Sequence, residues 1–200
     1  MKINLREAVI ALLIFVLVFA AVQTSMGSYR VEMQSMEPTF LPADCIMVDK
    51  VTYRFSSPDR GDVVVLWPPE PYRQENPYIK RVIGLPGETV RTDGAGRVYV
   101  TDSGGSDFVL VEEPEMPPCG VRNGRWVLAA GDYFVMGDNR GNSQDSTAFG
   151  PVKEADLVGK TWLRYWPLSR FGLSPHYSCR LEPVEEPEPV ASAWPRPAPS

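Results

Sequence analysis

The chain carries a single histidine, His176, close to its C-terminal end, so the usual imidazole base of a serine hydrolase would here have to be a residue followed only by a tail. A serine is a poor nucleophile until a neighbouring group takes its proton. One serine stands out, in Ser35-Met36-Glu37-Pro38-Thr39, just beyond an apolar N-terminal segment, and one lysine stands out in Tyr78-Ile79-Lys80-Arg81. Lysine replaces imidazole only when burial strips its charge: an ammonium in an apolar pocket loses hydration, its pKa falls, and the neutral amine accepts a hydroxyl proton near neutral pH. Pro38 restricts the backbone beside Ser35 and helps hold the hydroxyl in one place. Taken alone, Ser35 also reads as a turn or capping serine, and Lys80 as a charge that guards a strand edge. Strand alternation puts Tyr78, Lys80 and Val82 on one face and Ile79, Arg81 and Ile83 on the other. Each face thus carries one cation, and pattern does not say which is buried. Lys80 is the base of choice because arginine stays protonated.

The rest of the chain has to position these two groups. Its 200 residues are 44% hydrophobic with a formal net charge of -5. Once a short membrane segment and a polar tail are set aside, that is material for one compact domain. No basic patch or stripe marks a nucleic-acid partner. Cys45, Cys119 and Cys179 lack C-x-x-C spacing and histidine partners, which argues against zinc. They permit at most one internal disulfide, with three pairings open.

Lys2 and Arg6 precede an uncharged apolar run from Ala8 to Val22. This predicts an N-terminal transmembrane helix, placed at residues 8–28 with its polar flank, after a cytoplasmic segment 1–7. The alternative is a signal peptide removed near Ala20 and Ala21. The excess of positive charge before the run puts the N-terminus in the cytoplasm and residues 29–181 across the membrane. There the pattern is mainly β: short β-branched and aromatic runs punctuated by Gly, Pro and Asp. Strands are expected at 45–51, 62–67, 78–85, 88–91, 98–101, 108–112, 125–128 and 133–136, with a hairpin turn at 93–96 and a last strand or helical turn within 156–166. Residues 101–123 read as an insertion or small subdomain. Residues 182–200, with six prolines and four glutamates, read as a disordered tail.

Four phrases in order carry a resemblance. Ser35-Met36-Glu37-Pro38-Thr39-Phe40, Gly61-Asp62-Val63-Val64-Val65, Tyr78-Ile79-Lys80-Arg81-Val82-Ile83-Gly84-Leu85-Pro86-Gly87 and the stretch Gly137-Asp138-Asn139-Arg140-Gly141-Asn142-Ser143-Gln144-Asp145-Ser146 follow an apolar anchor. In this the chain resembles type I signal peptidases, the membrane-anchored serine proteases that remove signal peptides from exported proteins. The resemblance implies a signal-peptidase-like antiparallel β-sheet domain in the bacterial cytoplasmic membrane. It also implies Ser35 as nucleophile, Lys80 as general base, Ser143 as the hydroxyl that orients the lysine amine, and Asp145 as a supporting acid. Val31, Met33 and Ile79 would line pockets for the small residues of an A-x-A-like cleavage site in a secretory preprotein.

No cofactor or metal is implied, and chelators are expected to leave activity unchanged. Asp138 and Arg140 would pin their turn by a salt bridge. Two positions depart from the family pattern: Met33 stands where a glycine or an oxyanion-holding serine is usual, and Thr147 where an arginine is usual. The first leaves the oxyanion hole half assigned; the second predicts a missing salt bridge near Asp145. Two other readings stand beside this one, a specialised Ser/Lys processing peptidase of the same fold and an inactive membrane-anchored β-domain that binds extracytoplasmic partners.

Overall fold

The computed structural model describes residues 4–93, 97–101, 109–112, 121–175 and 180–183. Helix α1 (Leu5–Ser25) runs straight into β1 (Met26–Arg30). There follow β2 (Cys45–Asp49), β3 (Val63–Leu66), β4 (Tyr78–Gly84), β5 (Thr89–Thr92), β6 (Val98–Thr101), β7 (Val109–Glu112), β8 (Gly124–Val127) and β9 (Asp132–Met136). A one-turn helix α2 (Ser146–Phe149) precedes β10 (Val152–Lys153), β11 (Leu157–Trp166), β12 (Gly172–Leu173) and β13 (Arg180–Pro183). The expected mainly β, antiparallel architecture is found, in two sheets. One runs β1-β2-β11-β3-β4-β9-β10 with β12 beside β11, and the other β13-β7-β6-β5-β8.

Several boundaries differ from the sequence reading. Met26, Gly27 and Ser28, expected as the end of the membrane segment, are instead the start of β1, paired with Asp49, Val48 and Met47. Of the segment expected as an insertion at 101–123, Thr101 and Val109–Glu112 belong to the five-stranded sheet, whose strands begin earlier, at Thr89, and end later, at Pro183. The start of the expected tail is paired too: Glu182 lies opposite Leu110 and Pro183 opposite Val109 in β13. The expected turn at 93–96 is bracketed by Asp93, which donates its N–H to Arg97 O at 3.1 Å, although residues 94–96 lie outside the described residues. His176, Cys119 and Cys179 lie outside them as well.

Sheet burial explains where the two cations of β4 go. Val63, Val65 and Ile79 pack in a cluster with Val31, Met36, Phe40, Ile46 and Val48, while Val64, Leu66, Tyr78 and Val82 pack in another with Tyr133, Val135 and Val152. Both faces of β3 and β4 are therefore covered, as their nearly unbroken apolar runs suggest. Alternation does not separate a wet face from a dry one here. Lys80 and Arg81 are both buried, at 2% and 1% exposure.

Among the described residues, no helix is long and apolar enough to cross a membrane. In α1, Ile10, Leu12, Leu13, Ile14, Phe15 and Leu17 are exposed.

Candidate active site

The site is assembled from three connections that the main sheet brings to one place. Ser35 lies in the loop joining β1 to β2, closed at its base by Val31 N–H to Asp44 O and Ala43 N–H to Val31 O, each 2.8 Å. Within it Gln34–Met36 form a single 3₁₀ turn, and Met36 and Phe40 are fully buried beneath it. Lys80 is the third residue of β4, held between β3 and β9. The stretch from Gly137 to Asp145 continues directly from β9, the other neighbour of β4, which is why a segment so distant in sequence reaches the lysine.

Lys80 Nζ donates to Ser35 Oγ at 2.7 Å and to Ile79 O at 2.9 Å. Burial pushes its pKa down to about 8, against the opposing pull of the Asp145 and Asp138 carboxylates. Desolvation wins, because an ammonium loses more hydration than two carboxylates engaged elsewhere return. The Asp138 carboxylate is held in a two-point ion pair with Arg81, Nε to Oδ1 at 2.8 Å and Nη2 to Oδ2 at 2.6 Å, both side chains 1% exposed. This corrects the expected pairing of Asp138 with Arg140, whose Nε instead donates to Gly137 O at 3.1 Å. A planar fork on a buried strand needs a carboxylate with matching geometry, and Asp138, one step past β9, supplies it.

Asp145 is 2% exposed and caps α2. Its Oδ1 accepts from Thr147 N–H at 3.1 Å and Thr147 Oγ1 at 2.7 Å, and its Oδ2 accepts from Gly137 N–H at 3.0 Å. Thr147, in place of the arginine usual in the family, thus holds Asp145 by two hydrogen bonds in place of an ion pair. Ser143 Oγ is enclosed and has no hydrogen-bond partner among the described residues. It abuts Gly137, where an added Cβ would stand 2.3 Å from Ser143 Oγ and 2.4 Å from Ser35 O, so only glycine lets the two loops meet.

Val31, Met33 and Ile79 line one groove of about 490 Å³ that also contains Ser35 and Lys80. Val31 is buried and Met33 is 50% exposed. Two residues that sequence reasoning passed over hold the nucleophile turn. Asn139 donates from N to Ser35 O at 3.0 Å and from Nδ2 to Gln34 O at 3.1 Å, and Thr39 Oγ1 donates to Asp138 Oδ2 at 2.5 Å. Thr39 lies within Ser35–Phe40 and Asn139 within Gly137–Ser146, and short polar side chains beside a tight turn are the sequence signal for such a role.

A hydroxyl in hydrogen-bond contact with a buried, pKa-depressed amine, at the wall of a groove, is equipped for nucleophilic attack on a carbonyl. Comparison with known proteins points the same way. Residues 4–166 match the family model described as signal peptidase, peptidase S26. Signal peptidase I of Leptolyngbya laminosa is 40% identical over 144 residues, which cover 70% of this chain and 68% of the relative. Signal peptidase IB of Staphylococcus aureus is 30% identical over 186 residues, 86% of this chain and 94% of the relative. Among solved structures, a signal peptidase I from Enterococcus faecalis V583 aligns with a TM-score of 0.41 at 28% identity, covering 52% of this chain and 97% of that one. The chain belongs to the signal peptidase family, peptidase S26.

Proposed function

We propose that this chain is a signal peptidase I, a serine endopeptidase that removes N-terminal signal peptides from exported preproteins with Ser35 as nucleophile and Lys80 as general base. The 2.7 Å contact between Lys80 Nζ and Ser35 Oγ, made by a lysine that burial moves toward neutrality, carries the reading. With the amine neutral, the Ser35 hydroxyl donates to Nζ. As its oxygen attacks the scissile carbonyl carbon the proton passes to Lys80, and the ammonium so formed gives it to the departing amine nitrogen. Water, deprotonated by the same amine, then releases the acyl group from Ser35.

Ser143 is the hydroxyl that orients the lysine amine. Lys80 Nζ is bonded to Ser35 Oγ and Ile79 O in this structure, and Ser143 Oγ has no bond to give up among the described residues; a buried hydroxyl without a partner calls for an explanation. Asp145 supports the site by holding Gly137 and Thr147 in place. The Ser35 N–H is one oxyanion donor, and the Met33 thioether supplies no second.

The preprotein lies extended in the groove lined by Val31, Met33 and Ile79, as an added strand. Small residues at its -1 and -3 positions point into the apolar wall, which selects an A-x-A-like site. Helix α1 (Leu5–Ser25) carries the membrane anchor: past Arg6 and Glu7, from Ala8 to its end at Ser25, it reaches about 27 Å at about 1.5 Å per residue, close to a hydrocarbon core of about 30 Å. Lys2 and Arg6 keep the N-terminus in the bacterial cytoplasm and leave the β domain on the outer side of the inner membrane. Only the five residues of β1 separate α1 from Val31, about 17 Å of extended chain, so the groove stays near the bilayer that holds the signal.

The test is cleavage of a purified precursor with an A-x-A site by the detergent-solubilised protein, beside Ser35→Ala and Lys80→Ala. Cleavage at that site by the wild type alone is expected. Activity surviving Ser35→Ala would mean that the nucleophile is another residue.

A further inference from the structure

Ser35 stands between two grooves, and only one of them has been given a role. The second, about 770 Å³, has Gln34, Ser35, Gly141, Asn142, Ser143 and Gln144 in its wall. It shares Glu32, Met33 and Ser35 with the first groove but not Lys80, Ile79 or Val31. An extended chain held in the first groove by its signal side and crossing Ser35 at the scissile bond has this second groove ahead of it.

The chemistry of the two walls differs. The first groove has Val31, Ile46, Val65 and Ile79 behind it, whereas the second presents carboxamides and hydroxyls around Gly141, with the Glu32 carboxylate, shared by both grooves, engaged by Asn76 Nδ2 at 3.0 Å. Asn142 Nδ2 donates to Gln34 Oε1 at 3.3 Å, which ties the nucleophile turn to the loop after β9. Among the described residues this leaves Gln34 Nε2 as a donor and Asn142 Oδ1 as an acceptor that no protein group engages. The third amide, Gln144, is committed through Oε1 to Tyr78 Oη at 2.9 Å. One free donor beside one free acceptor matches the C=O and N–H of a peptide unit and is indifferent to its side chain.

We propose that this groove is the binding site for the first residues of the mature chain, and that Gln34 and Asn142 grip it by its main chain. The proposal rests on the signal peptidase reading and extends it to the far side of the scissile bond. Main-chain recognition suits an enzyme whose substrates share a cleavage signal on one side and nothing on the other.

A peptide series tests it, with a constant signal side ending in Ala-x-Ala and a mature side of one, two or four residues ending in an amide, cleaved by the full-length protein in detergent. For the wild type kcat/KM is expected to rise about tenfold with mature-side length, the size of one or two net hydrogen bonds. In Gln34→Ala/Asn142→Ala the rise should shrink to about twofold or less. Asn142→Asp, which keeps the volume but no longer donates to Gln34, should lose most of it too, which covers the case in which the double variant does not fold. A length dependence unchanged in these variants, or absent from the wild type while the peptides are still cut, overturns the proposal. Failure of the wild type to cut any peptide or a full precursor would instead strike at the signal peptidase reading.

Discussion

Replacing Lys80 by methionine should remove activity and stabilise the fold, and the size of the gain follows from the lysine's surroundings. The fall from the ordinary lysine value of 10.5 to about 8, at about 1.4 kcal/mol per tenfold change in protonation, amounts to about 3 kcal/mol by which the folded state disfavours the ammonium. The sign follows from proton counts. Above the unfolded value of 10.5 neither state holds the proton, and wild type and Lys80→Met differ only by packing. As pH falls from 10.5 toward 8 the unfolded chain binds a proton that the folded chain does not, so the wild type loses stability. Below 8 both states are protonated and the deficit stays constant. Urea unfolding followed by tryptophan fluorescence, run from about pH 7 to about pH 10.5, should show Lys80→Met ahead by about 3 kcal/mol at the low end and converging at the high end. Comparing the two proteins at each pH cancels every group they share. The same titration should appear in the wild-type enzyme as kcat/KM rising to half its maximum near pH 8. A stability difference that does not change with pH, or a wild type more stable than the variant near neutral pH, would refute the claim that burial neutralises this lysine.

Gly137→Ala should abolish cleavage and cost about 1–3 kcal/mol, since the new methyl overlaps Ser35 O and Ser143 Oγ; near wild-type kcat/KM would mean that these loops yield without consequence. Thr147→Val should lose the hydroxyl bond to Asp145, about 1 kcal/mol in thermal or urea unfolding, with a modest fall in kcat. Thr147→Arg restoring more than that loss would show the hydroxyl to be a weak substitute for the ion pair. Met33→Ser places a hydroxyl donor two residues before the nucleophile and should raise kcat, by up to roughly 100-fold if it reaches the oxyanion. An unchanged kcat would mean that a second donor already exists.

The two sheets were legible where the chain alternates or runs apolar between turn residues: strands expected at 78–85, 98–101 and 133–136 fall within a residue or so of β4, β6 and β9. The elements that were missed have no such signal. Met26–Arg30 reads as the polar flank of an apolar run and becomes a strand only because β2 offers it a partner. Arg180–Pro183, rich in charge and ending in proline, is paired by β7 on the edge of its sheet, one of the few places where a strand tolerates proline. In both cases tertiary pairing overrides local preference.

The site was legible by a different route, and it failed at the point where alternation failed. A strand with one cation on each face suggests that one of them is wet. Here both faces are covered, and the two cations are kept by opposite means. Arg81 cannot shed its proton, so it is buried with a full counter-charge, Asp138, in a two-point pair that Thr39 also grips. Lys80 can shed its proton, and its charge is suppressed by desolvation with no carboxylate among the described residues in direct contact. The ion pair on one face makes the uncharged amine on the other more useful. It keeps the Asp138 charge occupied with Arg81, and through Thr39 it ties the nucleophile loop to the strand that carries the base. Asp138→Asn should therefore weaken activity chiefly through kcat, by loosening the link between Ser35 and Lys80. A loss seen only in KM, with kcat intact, would place Asp138 with the groove wall and not with the reacting pair.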